Sequence, residues 1–562
     1  MKRPYLIILL LLILSSSIFA AGKIYWQENG VLVTGIDGMG IGDLVTDMKG
    51  GAIIITGDLD SVYAIRIDKN GNLPWGIKGK TVDTTAQGSF QRYTIGCSDG
   101  QGGAIILWSR FFPWGYELYC QKIDSNGNKL WGNDAIKITL SDSSQYSHVI
   151  ANDGAGGAII AWQQFQMLQH DIYAQRIDSN GVRQWGDYGV TVCSADSTQE
   201  SIGITCDNLG KSVIAWADYR TSAPHIYVDR LDGNGTSLWQ INGKIVCATD
   251  SGQGLPGYGN VMTMATDTTV IIAWHDARNG TGNIDVYAQC FNVNGNALWA
   301  AQGVVACDTI GRQGSAQIVP DGRGGMVSCW IDRRNSFMNI YAQRVNKDGQ
   351  ITWLNQGVPV CCSDSVYWYH RMVSDNNGGA IICWQDNRNG NADIYAQHVD
   401  SLGNVKWQPN GMPACTVIRT QERPHIIQSD SGTAIIAWPD YRDNYARAYA
   451  QRVGDDPNGA EGTPNSELQI INYKLNQNYP NPFNRFTVLS YQLPVAGKVS
   501  LKVYNIAGQL VRILDEGYRI TGFYSVKWDG RDDQGISASN GVYFYRLTIN
   551  DQSITQKLTL IK

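Results

Sequence analysis

Charge is scarce in this chain. Lysine, arginine, aspartate and glutamate make up 17% of 562 residues and leave a net charge of −5, too weak a field to draw in nucleic acid or an anionic membrane surface. Histidine is scarcer still, and none of His148, His170, His225, His275, His370, His398 and His425 stands at a ligand spacing from carboxylates. CxxC pairs are missing, and Cys361 and Cys362 are adjacent rather than spaced for zinc, so no metal and no other cofactor is expected. No nucleophile and acid break the sequence pattern together, so no catalytic residue is named. Long hydrophobic runs are absent as well. The one apolar stretch, residues 5–14, is too short to span a bilayer, follows Lys2 and Arg3, and leads into the small residues of 15–21. That order is the pattern of a cleaved export signal over residues 1–21, cut after Ala20 or Ala21, with no transmembrane segment in the mature chain. No cysteine follows the run, which leaves a lipoprotein anchor without support.

What the chain has instead is 62 glycines, 28 tyrosines and 18 tryptophans, a composition suited to short strands and tight turns. They are periodic. Apolar runs end at Thr56, Trp108, Trp162, Trp216, Trp274, Trp330, Trp384 and Trp438, a period of 52 to 58 residues. Each is followed by a strand led by Tyr63, Tyr119, Tyr173, Tyr227, Tyr287, Tyr341, Tyr395 or Tyr449. A third element, tryptophan then roughly GVxV, starts at Trp75, Trp131, Trp185, Trp239, Trp299, Trp353 and Trp407, is missing after Tyr449, and stands alone at Trp26 ahead of the first repeat. A linear array has no use for that offset, whereas a closed circle does. The expected fold is all-β: an eight-bladed β-propeller over residues 22–453, its eighth blade completed by residues 26–34.

Cysteine is plentiful for a chain read as exported, which invites disulfides. Cys193, Cys247, Cys307, Cys361 and Cys415 recur at one repeat position, however, and equivalent points on neighbouring blades lie beyond the roughly 7 Å Cα reach of a disulfide. Cys329 and Cys383 replace the alanine before the repeat tryptophan, as small buried hydrophobes do. Free thiols are expected, with one or two local bridges left open. Turns such as DGQGG from Asp99 and DGRGG from Asp321 hold too few carboxylates for a calcium cage.

Two patterns are candidates for a site. The first is WxDxR, with Asp218 and Arg220, Asp276 and Arg278, Asp332 and Arg334, Asp386 and Arg388, and Asp440 and Arg442 in loops between second and third strands. An aspartate and an arginine two residues apart in five loops read as a turn-stabilising pair. The second is the departures from that repeat. In the second unit the loop becomes Phe111, Phe112, Trp114 and Tyr116, and ahead of the seventh unit's inner strand stand Trp368, Tyr369 and His370. Exposed aromatics there suit stacking on sugars or gripping a protein, or they fold over their own loop.

The turns DSNGNKLW (from Asp124), DSNGVRQW (from Asp178) and DGNGTSLW (from Asp232) resemble the Asp-box of sialidase-type propellers, one residue longer on each side of the glycine. The resemblance implies a propeller hairpin remote from the active face. It also gives the WxDxR arginines a second reading, because sialidases hold a carboxylate with an arginine cluster.

Residues 454–474 are polar and aperiodic, a linker. Beyond them, residues 475–562 alternate as the strands of an immunoglobulin-like β-sandwich. The segments NYPNPFN from Asn478, VYNIAG from Val503, WDG from Trp528, GVYFY from Gly541 and KLTLIK from Lys557 resemble the C-terminal sorting domain of the type IX (Por) secretion system, related to the immunoglobulin-like domain of flagellar hook-capping proteins. The resemblance implies export across the outer membrane, the type IX machinery as a partner of residues 475–562, and a secreted or cell-surface location. The leading functional expectation is a binding protein for a polysaccharide or protein. A sialidase-like glycan-degrading enzyme and a purely structural surface protein are the alternatives.

Overall fold

The structure, a computed structural model, describes residues 22–456 and 474–561 apart from 39, 59, 85–89, 167–168, 208, 250, 257–259, 335–336, 364, 476, 479, 494–496, 520–521 and 550–551. The expected export signal (1–21) and most of the expected linker lie outside them. Every regular element among the described residues is a β-strand. Up to Asp455 the strands form eight small antiparallel sheets, a β-propeller-like array, and from Lys474 two more.

The seventh sheet shows how the sequence makes one unit. Its strands Val366–Ser374, Ala380–Asp386, Asp393–Val399 and Met412–Cys415 lie side by side in chain order. The first turn is closed by Asp375, whose Oδ1 accepts from the N–H groups of Asn377 (2.7 Å) and Gly379 (2.8 Å). A Cβ on Gly379 would sit 2.2 Å from the Val399 carbonyl oxygen, so only glycine lets the chain pass. Asp400 closes the turn after the third strand in the same way, accepting from Leu402 and Asn404 at 2.9 Å each. The second strand is buried at every residue. Such a strand needs cover on both faces of its sheet.

Neighbouring sheets supply that cover. Apolar clusters join the first sheet to the second around Trp108, the second to the third around Trp162, the third to the fourth around Trp216, and the fourth to the fifth around Trp274. Further clusters join the fifth to the sixth, the sixth to the seventh and the seventh to the eighth around Trp330, Trp384 and Trp438. A last cluster packs Ile435, Ala437 and Ala448 of the eighth sheet against Leu44, Ile54 and Ile65 of the first. These seven tryptophans are wholly inaccessible, and each buries on the order of 5 kcal/mol of apolar area as an upper bound.

The eighth sheet draws on both ends of the array. Its strands His425–Gln428, Thr433–Asp440 and Arg447–Asp455 are joined by Gly22–Ile24 and Val31–Leu32, both antiparallel to Arg447–Asp455. Val31–Leu32 falls within the expected residues 26–34, and Gly22–Ile24 adds a contact ahead of them.

Polar links repeat along the array. The indole N–H of Trp131 donates to the Ser179 carbonyl (3.0 Å), that of Trp299 to Lys347 (3.0 Å) and that of Trp353 to Ser401 (3.1 Å), each one sheet onward. Trp26 makes the same link to Lys69 of the first sheet (3.1 Å). Ion pairs brace the first turn of several sheets: Arg66 with Asp47 (2.9 Å), Arg176 with Asp153 (2.9 Å), Arg230 with Asp207 (2.6 Å) and Arg344 with Asp321 (2.8 Å). In the seventh sheet a histidine takes the arginine's place. His398 lies 3.0 Å from Asp375 in its own sheet and 3.0 Å from Asp455 in the eighth. All twelve cysteines are free.

The C-terminal unit packs a sheet of Lys474–Leu475, Thr487–Leu493 and Gly522–Trp528 against one of Gly497–Asn505, Leu510–Arg519, Gly541–Ile549 and Gln552–Leu560, around Tyr491, Trp528 and Tyr545. The NYPNPFN segment is part of this packing: Asn478 donates to Thr487 Oγ1 (2.8 Å), and the Phe483 ring lies 5.5 Å from that of Trp528.

Burial disfavours a charged His398, but hydrogen bonds and charge from Asp375 and Asp455 outweigh it and push the imidazole up to about 9 from an ordinary 6.5. A value raised on folding stabilises fully below about 6.5 and is lost as pH climbs through 9. Thermal melts from pH 7 to 10 are therefore expected to show the propeller-like array losing stability across that window, and His398→Arg is expected to flatten this part of the profile. An equal slope in both proteins would assign the loss to other groups.

Candidate functional site

The five WxDxR loops form one repeated brace. In the seventh sheet the Trp384 indole donates to Asp386 Oδ2 (3.1 Å), the Arg388 backbone N–H donates to Oδ1 (2.9 Å), and Arg388 Nη2 donates to Oδ2 (2.5 Å). The same guanidinium lies 3.9 Å over the Tyr395 ring and donates to the Asn410 carbonyl (2.8 Å) at the outer strand. Asp218–Arg220, Asp276–Arg278, Asp332–Arg334 and Asp440–Arg442 repeat it, with each arginine about 4 Å over Tyr227, Tyr287, Tyr341 or Tyr449. In the eighth sheet the carbonyl reached by Arg442 is that of Asn29 (2.8 Å), so the N-terminal segment enters the same brace. The cysteine expected at one repeat position lies beneath it: Cys361 Sγ is 3.4 Å from Arg388 Nη2.

Burial pushes the Asp386 carboxyl up, but Arg388, Ser365 and Trp384 more than offset this and hold it at about 2. All five aspartates are buried. The arginines that an acidic ligand would need are thus engaged on their own sheets, the geometry of a turn pair.

The second and third sheets lack this aspartate. Trp162 donates instead to Gln164 (3.2 Å), and Arg110 reaches back to Asp83 of the first sheet (2.5 Å). In place of a loop their middle strands run on for nine residues each: Ala104–Phe112 with Gly115–Ile123, and Ala158–Gln166 with Gln169–Ile177. The expected loop at Phe111–Tyr116 is therefore the tip of a long hairpin, because Phe111 pairs with Tyr116 and Phe112 with Gly115.

Alternation along the strand divides the predicted aromatics between two faces. On one, Phe112 and Trp114 stack at 5.0 Å with planes 8° apart, and the Trp114 indole donates to Glu117 (3.3 Å). Glu117 also pairs with Lys137 (3.0 Å) and accepts from the Tyr119 hydroxyl (2.8 Å), which fixes it in place. Trp114 is 62% exposed. On the other face Phe111 meets Tyr116 (5.1 Å) and Tyr116 meets Tyr146 of the third sheet (5.5 Å). The ladder continues through His170 to Phe165, at 5.6 and 5.4 Å. Tyr146, Phe165 and His170 were not among the expected site residues. The signal in the third repeat was the loss of WxDxR itself, with Gln164 and Gln166 where the aspartate and arginine stand elsewhere; Phe165 sits at the unconstrained position between them.

The other predicted segment needs correcting. Trp368, Tyr369 and His370 do not precede the seventh sheet's inner strand but lie within Val366–Ser374, where pairing slips between Val366 and His370. A bulge there uses up residues that read as a loop. His370 is fully buried, with its carbonyl accepting from Gln317 Nε2 (2.5 Å), and Tyr369 is half-buried under Arg423. Neither is an exposed platform, and the Trp368 side chain lies outside the described residues. The two aromatic segments also belong to sheets that are not neighbours.

Residues 485–553 match the FlgD Ig-like domain family. The match falls within the two-sheet C-terminal unit. No curated protein sequence matches the chain. Among solved structures, an alpha-L-arabinanase from Penicillium chrysogenum complexed with arabinobiose is similar at 11% identity, covering 64% of this chain and 92% of its own, with a TM-score of 0.33. Oligopeptidase B from Trypanosoma brucei is similar at 11% identity over 83% of this chain and 54% of its own, with a TM-score of 0.40, so this chain spans about half of that enzyme. A protein of unknown function from Dyadobacter fermentans is similar at 6% identity over 56% of this chain and 95% of its own, with a TM-score of 0.31.

Arg388→Ala leaves Asp386 buried without its cation. Ser363, Ser365 and Trp384 still donate to it, so the expected loss is about 2 kcal/mol, below the usual cost of breaking a buried pair. A thermal melt checks this, and an unchanged melting temperature would contradict the structural role of the brace.

Proposed function

We propose that this protein is an exported or cell-surface binding protein whose eight sheets are the blades of a single propeller, closed by the N-terminal strands, and whose second blade carries a platform for a polysaccharide. The observation that carries the reading is the Phe112–Trp114 stack. It stands on a hairpin that has given up the buried brace of five other sheets, and it leaves a large indole in solvent with its N–H held on an anchored carboxylate. Packing does not require that ring. A flat, pre-oriented aromatic beside a fixed acceptor suits a sugar, which offers an apolar face to stack and hydroxyls at its edge to hydrogen-bond. Closure is supported by the cluster joining the eighth sheet to the first and by the links from Trp26 to Lys69 and from Arg442 to Asn29. The C-terminal sandwich serves export through the type IX route, a reading supported by the sorting-domain motifs and the FlgD Ig-like match.

The full mature chain is expected to be retained by at least one member of a panel of insoluble cellulose, xylan, arabinan and chitin, without release of reducing ends. Trp114→Ala is expected to abolish retention with its melting temperature unchanged. Retention that survives the substitution would remove the site from this hairpin, and released reducing ends would replace binding by hydrolysis.

A further inference from the structure

The bulge that shifts register in the inner strands recurs at one place in the repeat, and its first residue takes a left-handed backbone. In the third, fourth and sixth sheets that residue is Ser147 (φ 44°), Ser201 (φ 57°) and Ser315 (φ 54°). In the second sheet it is Tyr93, at φ 53°. A bulky side chain is a poor occupant of that region, and serine is tolerated there better. The Tyr93 ring gains little cover in return. It is 70% exposed and meets Tyr116 edge-on at 6.5 Å. Tyr93 is thus an exposed ring at a bulge position that carries serine in the third, fourth and sixth sheets and Arg423 (φ 46°) in the eighth.

The ring also has a direction. From Tyr116 the ladder crosses through Tyr146 and His170 to Phe165, which is 43% exposed at the tip of the next hairpin. The half-buried middle of the ladder ties the two hairpins together, and its two ends, Tyr93 and Phe165, face solvent on adjacent sheets. These two sheets are the ones whose middle strands both extend to nine residues. A polar group borders the same stretch: the Ser144 hydroxyl accepts from the Tyr116 N–H (2.8 Å). A ladder of Tyr93, Tyr116, Tyr146, His170 and Phe165, with no carboxylate, lysine or arginine among its rings, suits an uncharged, hydroxyl-rich chain.

We infer that the platform is a track: an uncharged polysaccharide lies across the tips of the second and third sheets, with Tyr93 and Phe165 as stacking positions additional to Trp114. The inference rests on the glycan reading above, deepening it from one contact to an extended chain. It makes affinity depend on ligand length, because a short oligosaccharide reaches one ring and a long one reaches several.

The test is calorimetric titration of the full mature chain with two-unit and six-unit oligomers of β-1,4-glucan, β-1,4-xylan and α-1,5-arabinan. The native protein is expected to bind a hexamer at least tenfold more tightly than its dimer. Phe165→Ala and Tyr93→Ser are each expected to weaken hexamer binding about fivefold to tenfold, as the loss of one aromatic contact does, and to leave dimer binding unchanged. Tyr93→Ser installs the residue of the third, fourth and sixth sheets, so its melting temperature is expected to hold or rise while binding falls, a combination that a purely structural tyrosine cannot give. Equal affinity for dimer and hexamer, with binding lost only in Trp114→Ala, overturns the track and leaves the single platform standing. Absence of binding to every oligomer overturns both readings, and a Tyr93→Ser protein that melts lower with hexamer affinity intact assigns the ring to packing.

Discussion

A small antiparallel sheet with two apolar faces cannot stand alone in water, and every other feature of the larger unit answers to that fact. The second strands Ser212–Asp218, Met326–Asp332, Ala380–Asp386 and Thr433–Asp440 are buried throughout, so each sheet must be covered on both sides. In a row of such sheets the two end faces stay open. The cluster of Ile435, Ala437 and Ala448 with Leu44, Ile54 and Ile65 covers a face of the first sheet with a face of the eighth, the contact on which the proposed closure rests. The N-terminal strands then hold the last sheet from the outside, and the Asn29 carbonyl stands where Asn410, Gln356 and Asn242 stand in other sheets.

Apolar packing alone does not set the register of one sheet on the next, because one isoleucine contacts another with little directional preference. The polar links supply direction. Each buried aspartate of the WxDxR brace accepts from an indole in its own strand and from an arginine whose fork continues to the outer strand. The brace therefore fixes the inner and outer parts of a sheet to each other. At the opposite end of the strands, the Asp–Arg pairs beside the first turn, with Arg176 reaching Gly233 and Arg344 reaching Ser401, do the same between successive sheets. Buried ion pairs add little net stability over apolar contacts of the same volume. Their worth here lies in specifying one alignment among many that the repeats would otherwise allow.

Much of this was legible in the sequence, for identifiable reasons. Trp162, Trp216 and Trp384 mark the second strand of each unit because a fully buried indole leaves no freedom in the repeat, and the offset of Trp26 pointed to the N-terminal pairing. WxDxR was readable as a pair because both partners are two residues apart. What escaped were features that depend on register or on distant partners. The bulges at Tyr93, Ser147 and Ser201 carry no signal of their own, and the longer slip in the seventh sheet made Tyr369 and His370 read as a loop. His398 has Asp375 within its own sheet but finds Asp455 only because two sheets meet. The ladder from Phe111 to Phe165 escaped for the same reason, since Tyr116 and Tyr146 are neighbours in space only.

The second and third sheets also show how a repeat protein varies one part of its unit without losing the array. A brace that recurs in five sheets is dispensable in any one of them as long as the flanking sheets hold their faces, and apolar clusters continue unbroken on both sides of Trp108 and Trp162. Giving up the aspartate frees the loop to lengthen into a hairpin. Removing it from two adjacent sheets leaves two hairpins that would splay in solvent, and the Tyr116–Tyr146 contact ties them together. The aromatics at the tips therefore have two separable tasks. The half-buried rungs Tyr116, Tyr146 and His170 restore the stiffness lost with the brace, whereas Trp114, Tyr93 and Phe165 expose surface that stiffness does not require.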